Sequence, residues 1–487
     1  MIKALIIKIK DLKKETGLLR SLTMVCAPLV AFISGWIAHS SGLNHQSAIT
    51  ISIAIWTALW WIFETVPIPI TSLVPLALLP LFGVLSAEQV AKAYGHKLVL
   101  LLLGGFLLSK AMERSGAHRR IALKMVRACG GGGGRPLVLG FMLASAGLSM
   151  WISNTATTLM MLPMVIAVLQ DAEDKELKVP LLLGIAFAAN VGGIGTPIGT
   201  PPNMVMIGYF EQEFGKEIAF IDWMQVGIPV SLTMVLLIFV WITRGLKGRS
   251  AVPLPDSGSW RKEETRTLLV FGVTALAWTT RASPYGGWKN WFGVLPESLE
   301  QLQGLFVNAN DASVAFIAVI LLFCLPNGMG KGERLLDWRT ANEIPWGLLI
   351  LVGSGMCLGT AFKESGLSTA LASALTGLGR VDPVYLILSV ALLVTFLTEM
   401  TSNTATTNIL MPILGAVAVA SVLDPKLLLL PATISASCAF MLPVATMPNA
   451  VVFGTGEISI KRMASEGFVL NLVGAVVVTI ICYVFLQ

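Results

Sequence analysis

Long apolar runs separated by short polar or basic segments recur along the whole chain, without the alternation that marks half-buried strands. They predict membrane-crossing helices over about residues 22–38, 49–63, 70–85, 98–113, 224–243, 267–280, 312–325, 345–362 and 468–486. Four further apolar stretches are interrupted. Those at about 137–169 and 384–421 are each cut in the middle by a polar hexapeptide, and neither arm reaches the roughly 20 residues that span a bilayer. A helical hairpin that enters and leaves on one side fits each better than one long span. The stretches at about 179–209 and 427–453 carry helix breakers instead: Gly192, Gly193, Gly195, Pro197, Gly199, Pro201 and Pro202 in the first, Pro443 and Pro448 in the second. Unwound backbone is forced there, and at membrane depth it is tolerated only where protein or a water-filled cavity surrounds it.

The hexapeptide is the same in both hairpins. Ser153-Asn154-Thr155-Ala156-Thr157-Thr158 returns as Ser402-Asn403-Thr404-Ala405-Thr406-Thr407, followed at equal offset by Pro163 and Pro412. Ser115-Gly116 pairs with Ser365-Gly366, and Thr196–Asn203 with Leu442–Asn449, in the same order. Matched landmarks in one order mean an internal duplication. Counting each hairpin as a return gives eleven spans: an N-terminal helix and two five-helix halves of opposite orientation. Lys and Arg agree with this. Of the 34, the segments so placed outside hold Lys92, Lys97, Lys216, Arg281, Lys289, Lys363, Arg380 and Lys426, and the cytoplasmic ones hold the rest, which is the positive-inside bias. The N-terminus then lies in the cytoplasm and the C-terminus outside.

The chain divides accordingly into a basic amphipathic leader (1–20), a first set of spans (21–134), a first hairpin, broken helix and span (135–244), and a polar linker with Pro253 and Pro255 (245–266). A second set of spans (267–382) and a second hairpin, broken helix and last span (383–487) follow. Within this frame Trp288, Trp291 and Asn308-Ala309-Asn310-Asp311 fall in a polar loop, and the run Gly130–Gly134 is a flexible joint. That run is no phosphate loop, because no GK[ST] follows it and no strand precedes it.

Composition strengthens the membrane reading. Of 487 residues, 55% are hydrophobic and 13% charged, with a mean hydropathy of +0.77, whereas a soluble domain carries nearer a quarter charged residues. No cleavable signal peptide is visible. The net charge of +6 reads as a topology signal and not as a nucleic-acid footprint. Cys26, Cys129, Cys324, Cys357, Cys438 and Cys482 are scattered singly and read as buried thiols. His39, His45, His96 and His118 are expected in solvated loops, and Glu64 at a membrane edge in a structural role.

Paired, interrupted segments in two halves point to a transporter binding site near the midplane. Helices restarting after each break aim N–H groups and positive dipole ends inward, which favours an anion. The hydroxyls of Ser153, Thr155, Ser402 and Thr404 and the amides of Asn154 and Asn403 can donate to carboxylate oxygens. A single Ser or Thr in such a helix commonly bonds back to the preceding turn, but the duplication at a break sets these apart. Carbonyls exposed at 192–202 and 443–448 suit a hard cation. No Lys or Arg occurs in 136–174, 179–215, 381–425 or 427–460. A dianion buried without counter-charge is expensive, so cations bound with it are the simplest source of charge. That argues for a cation-coupled anion symporter. Glu399, beside the second hexapeptide, has two readings: a proton or cation ligand, or a helix-end carboxylate paired elsewhere.

The paired Ser-Asn-Thr motifs, Gly195-Thr196-Pro197-Ile198-Gly199-Thr200-Pro201-Pro202-Asn203 and Leu442-Pro443-Val444-Ala445-Thr446-Met447-Pro448-Asn449 closely resemble the divalent anion/sodium symporter family, the sodium-coupled di- and tricarboxylate transporters. The resemblance covers nearly the whole chain after the leader. It implies an all-α homodimer in the plasma membrane, with eleven spans and two re-entrant hairpins per subunit. It also implies a transport domain that slides against a scaffold like an elevator, and no organic cofactor. By motif position, substrate contacts fall on Ser153, Asn154, Thr155, Thr200, Ser402, Asn403, Thr404 and Thr446. One sodium site falls on Ser149, Ser153, Asn154 and Gly199, and another on Thr398, Thr401, Asn403 and Ala445. Met447 stands where the family often has proline, and Thr200 where the resemblance implies serine in bacterial relatives. Two intact motifs favour C4-dicarboxylates such as succinate, malate and fumarate; sulfate, citrate or sodium-independent exchange are the alternatives within the family. An anion channel is the reading from another class, and a membrane enzyme lacks any HExxH or GxSxG to carry it.

Overall fold

The computed structural model describes residues 2–130, 134–171, 175–246, 258–282, 286–288, 308–330, 332–374 and 382–486, with the side chains of 2–19 and of 171 and 175 left aside. Lys289, Trp291, Arg380, Pro253, Pro255 and positions 131–133 of the glycine run lie outside the described residues. The described chain is helical throughout; its one bridge joins Pro326 and Arg334.

Among the described residues eight helices are long and apolar enough to cross a membrane. The first helix, Ile2–Ser40, carries the leader straight into the first expected span and packs along His45–Phe63. The expected third span is two short helices, Ile68–Thr71 and Leu73–Leu81, parted at Ser72. Asp311–Cys324, with 14 residues, matches the expected 312–325. The last helix, Ile460–Leu486, begins well before the expected 468. Lys97–Ser115 ends at Gly116, whose φ of 74° suits glycine, and the basic segment behind it is an amphipathic helix, Ala117–Ala128.

Both interrupted regions fold as their breakers dictate. The first hairpin has arms Gly134–Ser149 and Asn154–Asp171, and the second Pro383–Thr398 and Asn403–Ala420. Both arms of each pack on the next helix, Lys178–Gly192 or Lys426–Ala436. Those helices stop at the unwound segments, and Pro201–Phe214 and Met447–Phe453 resume beyond them.

The ends of the molecule differ. Near Lys97 the chain is bolted by charge: Lys97 pairs with Glu211 at 2.5 Å, and Arg281, only 3% exposed, with Asp311 at 2.6 Å and Glu217 at 2.8 Å. Lys363 Nζ donates to the carbonyls of Gln212 and Glu213 at the end of Pro201–Phe214. At the other end Arg120 grips Glu264 through two nitrogens, at 2.8 and 3.1 Å.

Two histidines and three cysteines depart from expectation. His118 is buried in Ala117–Ala128, its Nδ1 3.0 Å from Met112 O, because that helix turns at Gly116 and packs chiefly on Gly134–Ser149. His96 is an N-cap, accepting from Leu98 N. Cys357, Cys438 and Cys482 are buried as expected, but Cys26 and Cys324 are exposed and Cys129 is half-buried, since they fall on outward faces of their helices.

Replacing Arg281 by Met strands the carboxylate of Asp311. Breaking a buried pair typically costs about 3–5 kcal/mol, so the variant should melt well below wild type in a thermal-shift scan of the detergent-purified protein. Equal melting points would show that this bolt contributes nothing.

Candidate functional site

Four helices begin at one place. Asn154–Asp171, Asn403–Ala420, Pro201–Phe214 and Met447–Phe453 all start in the wall of a cavity of about 1040 Å³. Their first N–H groups lack intrahelical partners and carry the positive ends of the helix dipoles. Thr200 and Thr446 hold matching extended conformations ahead of their helices, φ −147°, ψ 143° and φ −141°, ψ 152°.

Ser153, Asn154, Thr155, Thr200, Ser402, Asn403, Thr404 and Thr446 all line this cavity. Among the described residues the hydroxyls of Thr155, Thr200, Ser402 and Thr404 have no protein partner, so their hydrogens are available to a guest. Thr158 and Thr407 do what membrane hydroxyls commonly do and bond back to Asn154 O (2.9 Å) and Asn403 O (2.8 Å). Ser153 Oγ accepts from Ala156 N at 3.2 Å, capping its helix.

Behind each motif sits a group of oxygens. Ser149 Oγ donates to Asn154 Oδ1 at 2.5 Å, and Thr398 Oγ1 to Asn403 Oδ1 at 2.7 Å, the same contact in both hairpins. Ser149 and Thr398 are buried. A Cβ on Gly193 would stand 2.6 Å from Asn154 Oδ1 and 3.1 Å from Gly199 O, so only glycine lets these oxygens converge. Thr398 Oγ1 also faces Ala436 O at 3.0 Å. One hydroxyl hydrogen between two acceptors leaves the second group short of positive charge, and neutral oxygen donors suit a hard cation. Gly199 and Ala445 line the cavity beside these groups. Thr401 lines it too, but its hydroxyl is committed to Leu397 O and Thr406 Oγ1, so its side chain stands apart from the Thr398–Asn403 group.

Glu399 takes the second of its two readings. Its carboxylate accepts from the backbone N–H groups of Phe440 (2.7 Å), Met441 (2.9 Å) and Leu442 (2.9 Å) and from Asn471 Nδ2 (2.8 Å). It ties the hairpin turn to the unwound segment and to the last helix. The first half has Met150 there, and Thr196 Oγ1 donates to its carbonyl instead.

Sequence reasoning missed several wall residues. Arg20 and Lys110 line the cavity although the motif-bearing stretches hold no cation. Each faces carboxylates: Arg20 meets Glu64 at 3.8 Å, and Lys110 meets Glu113 at 2.9 Å and Glu343 at 3.8 Å. Glu64 thus keeps its structural part. Asn190 was missed as well; it lines the cavity and reaches across to Thr446 and Asn449. Its signal was a solitary amide in the apolar stretch 179–191.

The family described as citrate transporter (CitMHS) matches residues 58–427. The sodium-dependent dicarboxylate transporter SdcS of Staphylococcus saprophyticus is 37% identical over 483 residues, covering 94% of this chain and 90% of that protein. The protein of the same name from Staphylococcus aureus (strain NCTC 8325) gives the same figures. Among solved structures, the YdaH transporter of Alcanivorax borkumensis superposes with a TM-score of 0.58 at 16% identity, over 84% of this chain and 88% of that one. MtrF of Neisseria gonorrhoeae does so with 0.59 at 12% identity, over 84% of each. At such identity these two speak for the fold alone: that of membrane transporters.

Glu399→Ala would free three N–H groups, that of Phe440 buried and those of Met441 and Leu442 part-buried. An unsatisfied buried donor costs about 1–3 kcal/mol, so the variant should melt lower and lose anion binding together. Wild-type melting and binding would show that the unwound segment does not depend on this carboxylate.

Proposed function

The chain belongs to the citrate transporter family, alongside sodium-dependent dicarboxylate carriers, and from that premise we propose that it carries C4-dicarboxylates such as succinate, malate and fumarate into the cytoplasm together with sodium. The observation that carries this is the pairing at each motif. Asn154 and Asn403 face the cavity while their Oδ1 atoms close oxygen groups with Ser149 and Thr398. One residue type thereby serves an anion on one side and a cation on the other. Ser149, Ser153, Asn154 and Gly199 would hold one sodium; Thr398, Asn403 and Ala445, with the Ala436 carbonyl and the backbone of Thr401, another.

Movement of an elevator kind is part of the proposal, and an unequal pair of contacts supports it. Asn408, next after the second hexapeptide, fills the space over Gly355, where any Cβ would overlap its Oδ1, and its Nδ2 donates to Leu351 O at 3.1 Å. The counterparts by the repeat are Leu159 and Gly105. These two line the cavity apart from one another, Leu159 being 53% exposed. The cavity is the space in which the mirrored contact is unmade. Its lining includes Lys110, Glu113 and Glu343; the Lys and Arg bias supports the cytoplasmic side for these and the outside for the bolted end around Lys97 and Arg281. The state described is then inward-open. Residues 97–115 and 346–364 belong to the scaffold, hairpins and broken helices to the moving part, and two copies form the dimer.

Arg20 and Lys110 favour a second reading, in which Lys110 leaves its carboxylates to supply the counter-charge and the protein exchanges dicarboxylates without sodium. Calorimetry of succinate binding across a sodium titration separates the two. Coupling is reciprocal, so under symport sodium tightens succinate binding steeply while choline and potassium do not, and Asn154→Asp, which adds a negative charge beside the substrate, weakens it even at saturating sodium. Equal binding in choline and in sodium would establish the exchanger.

The mirrored contact is tested separately by Gly105→Leu. Overpacking costs about 1–3 kcal/mol, enough to lower the population of the state that closes this cavity by roughly five- to a hundredfold. Succinate binding in detergent should persist while uptake into liposomes falls by a similar factor. Undiminished uptake would mean that Leu159 never seats on Gly105.

A further inference from the structure

We infer that Asn190 is a positioning residue that makes Thr446 an obligatory hydrogen-bond donor to the transported anion; this rests on the reading of Thr446 as a substrate contact. The two halves of the site present equivalent threonines, Thr200 and Thr446, in the same extended conformation at the head of a helix. Their hydroxyls are not equivalent. Thr446 Oγ1 faces two nitrogens, Asn190 Nδ2 at 3.0 Å and Asn449 N at 3.3 Å, and Asn190 shares the two hydrogens of its nitrogen among Thr446 Oγ1, Ala439 O and Asn449 Oδ1. Neither nitrogen can accept, so the Thr446 hydrogen has nowhere to point but the cavity, which Thr446 lines.

The direction of this chain is dictated by backbone carbonyls, which can only accept. Ala439 O and Leu442 O take hydrogens from Asn449 Nδ2 at 3.1 and 3.2 Å, so the amide of Asn449 cannot be turned over, and its Oδ1 must face Asn190 as an acceptor. That oxygen, at 3.1 Å, and Ala439 O, at 3.3 Å, in turn require Asn190 to present its NH2. Turning Asn190 over would set oxygen against oxygen twice. Polarity therefore runs from the unwound carbonyls through two buried amides to one hydroxyl, and Asn190 and Asn449 are no more than 1% exposed.

Among the described residues nothing equivalent fixes Thr200. Asn203 grips Gly193 O and Thr196 O as Asn449 grips its own segment, but the repeat puts Ala436 where Asn190 would be needed. Thr200 keeps a free rotor, able to donate to an anion or to accept from a substrate hydroxyl. Thr446 can only donate. The N–H groups aimed at its oxygen also disfavour a cation there. One end of the site is thus reserved for a carboxylate oxygen, and the other tolerates more than one chemistry.

The test is a double-mutant cycle on the full-length protein, reading succinate affinity by calorimetry at saturating sodium. Thr446→Val removes the donor and should weaken binding roughly tenfold, as loss of a hydrogen bond to a charged group does. Asn190→Leu keeps the bulk but frees the hydroxyl to rotate, and should weaken binding several-fold through KM with turnover in liposomes little changed. In the Thr446→Val background Asn190→Leu should cost less than about twofold, because its effect passes through the hydroxyl. The same factor in both backgrounds would overturn the inference, since a packing role would not depend on Thr446. Should Asn190→Leu not yield folded protein, Asn190→Ser is read in the same cycle with the same expectation. Failure of the wild type to bind succinate in sodium would overturn the functional reading with it; equal cost in the cycle overturns only the part given to Asn190.

Discussion

Two buried asparagines make an opened backbone possible at membrane depth. Asn203 Nδ2 reaches Gly193 O at 3.0 Å and Thr196 O at 2.8 Å, and Asn449 Nδ2 reaches Ala439 O at 3.1 Å and Leu442 O at 3.2 Å. Without such partners each freed carbonyl would face a medium with no water to bond. Each asparagine sits on the helix that resumes after the break, so it closes its own loop as a clamp. Trp223 adds a donor to Ile194 O, and Glu399 gathers three N–H groups of the second segment. The breaks are therefore rigid, and a rigid break is what can hold four helix ends around one cavity.

The breaks were legible because glycines, prolines and a polar hexapeptide stand out against apolar surroundings, and because each occurs twice. Wall residues within the motifs were legible for the same reason. What the sequence hid is set by pairing between distant segments. Glu399 has no local signal separating a ligand from an anchor; only the arrival of Phe440, Met441, Leu442 and Asn471 decides. Arg20 and Lys110 enter the cavity because helices outside the motifs border an open space, and how far that space opens depends on the state of the molecule. His118 looked like a loop residue because a short basic segment does not show that it folds back to bury one face. Ile68–Leu81 falls short of the expected 70–85, and Ile460–Leu486 exceeds the expected 468–486, because packing among neighbours, and not apolar composition, sets where a helix stops.

The two halves share a plan and differ where function needs them to. Glu399 stands against Met150, Asn190 against Ala436, Asn408 against Leu159. In each case the polar member makes buried hydrogen bonds, and its counterpart makes packing contacts or lies open to the cavity. Polar contacts in a dry interior are directional and hold one arrangement; apolar ones slide more readily. Asn190 and Glu399 hold elements within the cavity wall together, whereas Asn408 joins the second hairpin to the helix Trp346–Glu364, which is the kind of contact that a moving part has to release.

The amides of Asn154 and Asn403 explain why two ligands of opposite charge would depend on one another. Ser149 and Thr398 face the Oδ1 atoms, and the Nδ2 atoms have no protein partner among the described residues. A cation held at Oδ1 draws electron density through the amide, and its Nδ2 hydrogens become stronger donors to a carboxylate; a carboxylate at Nδ2 returns the effect. Neither ligand needs to touch the other. With the local cations already facing Glu64, Glu113 and Glu343, each part of the proposed site alone would bind its own ion weakly, and the pair would be favourable only when filled together.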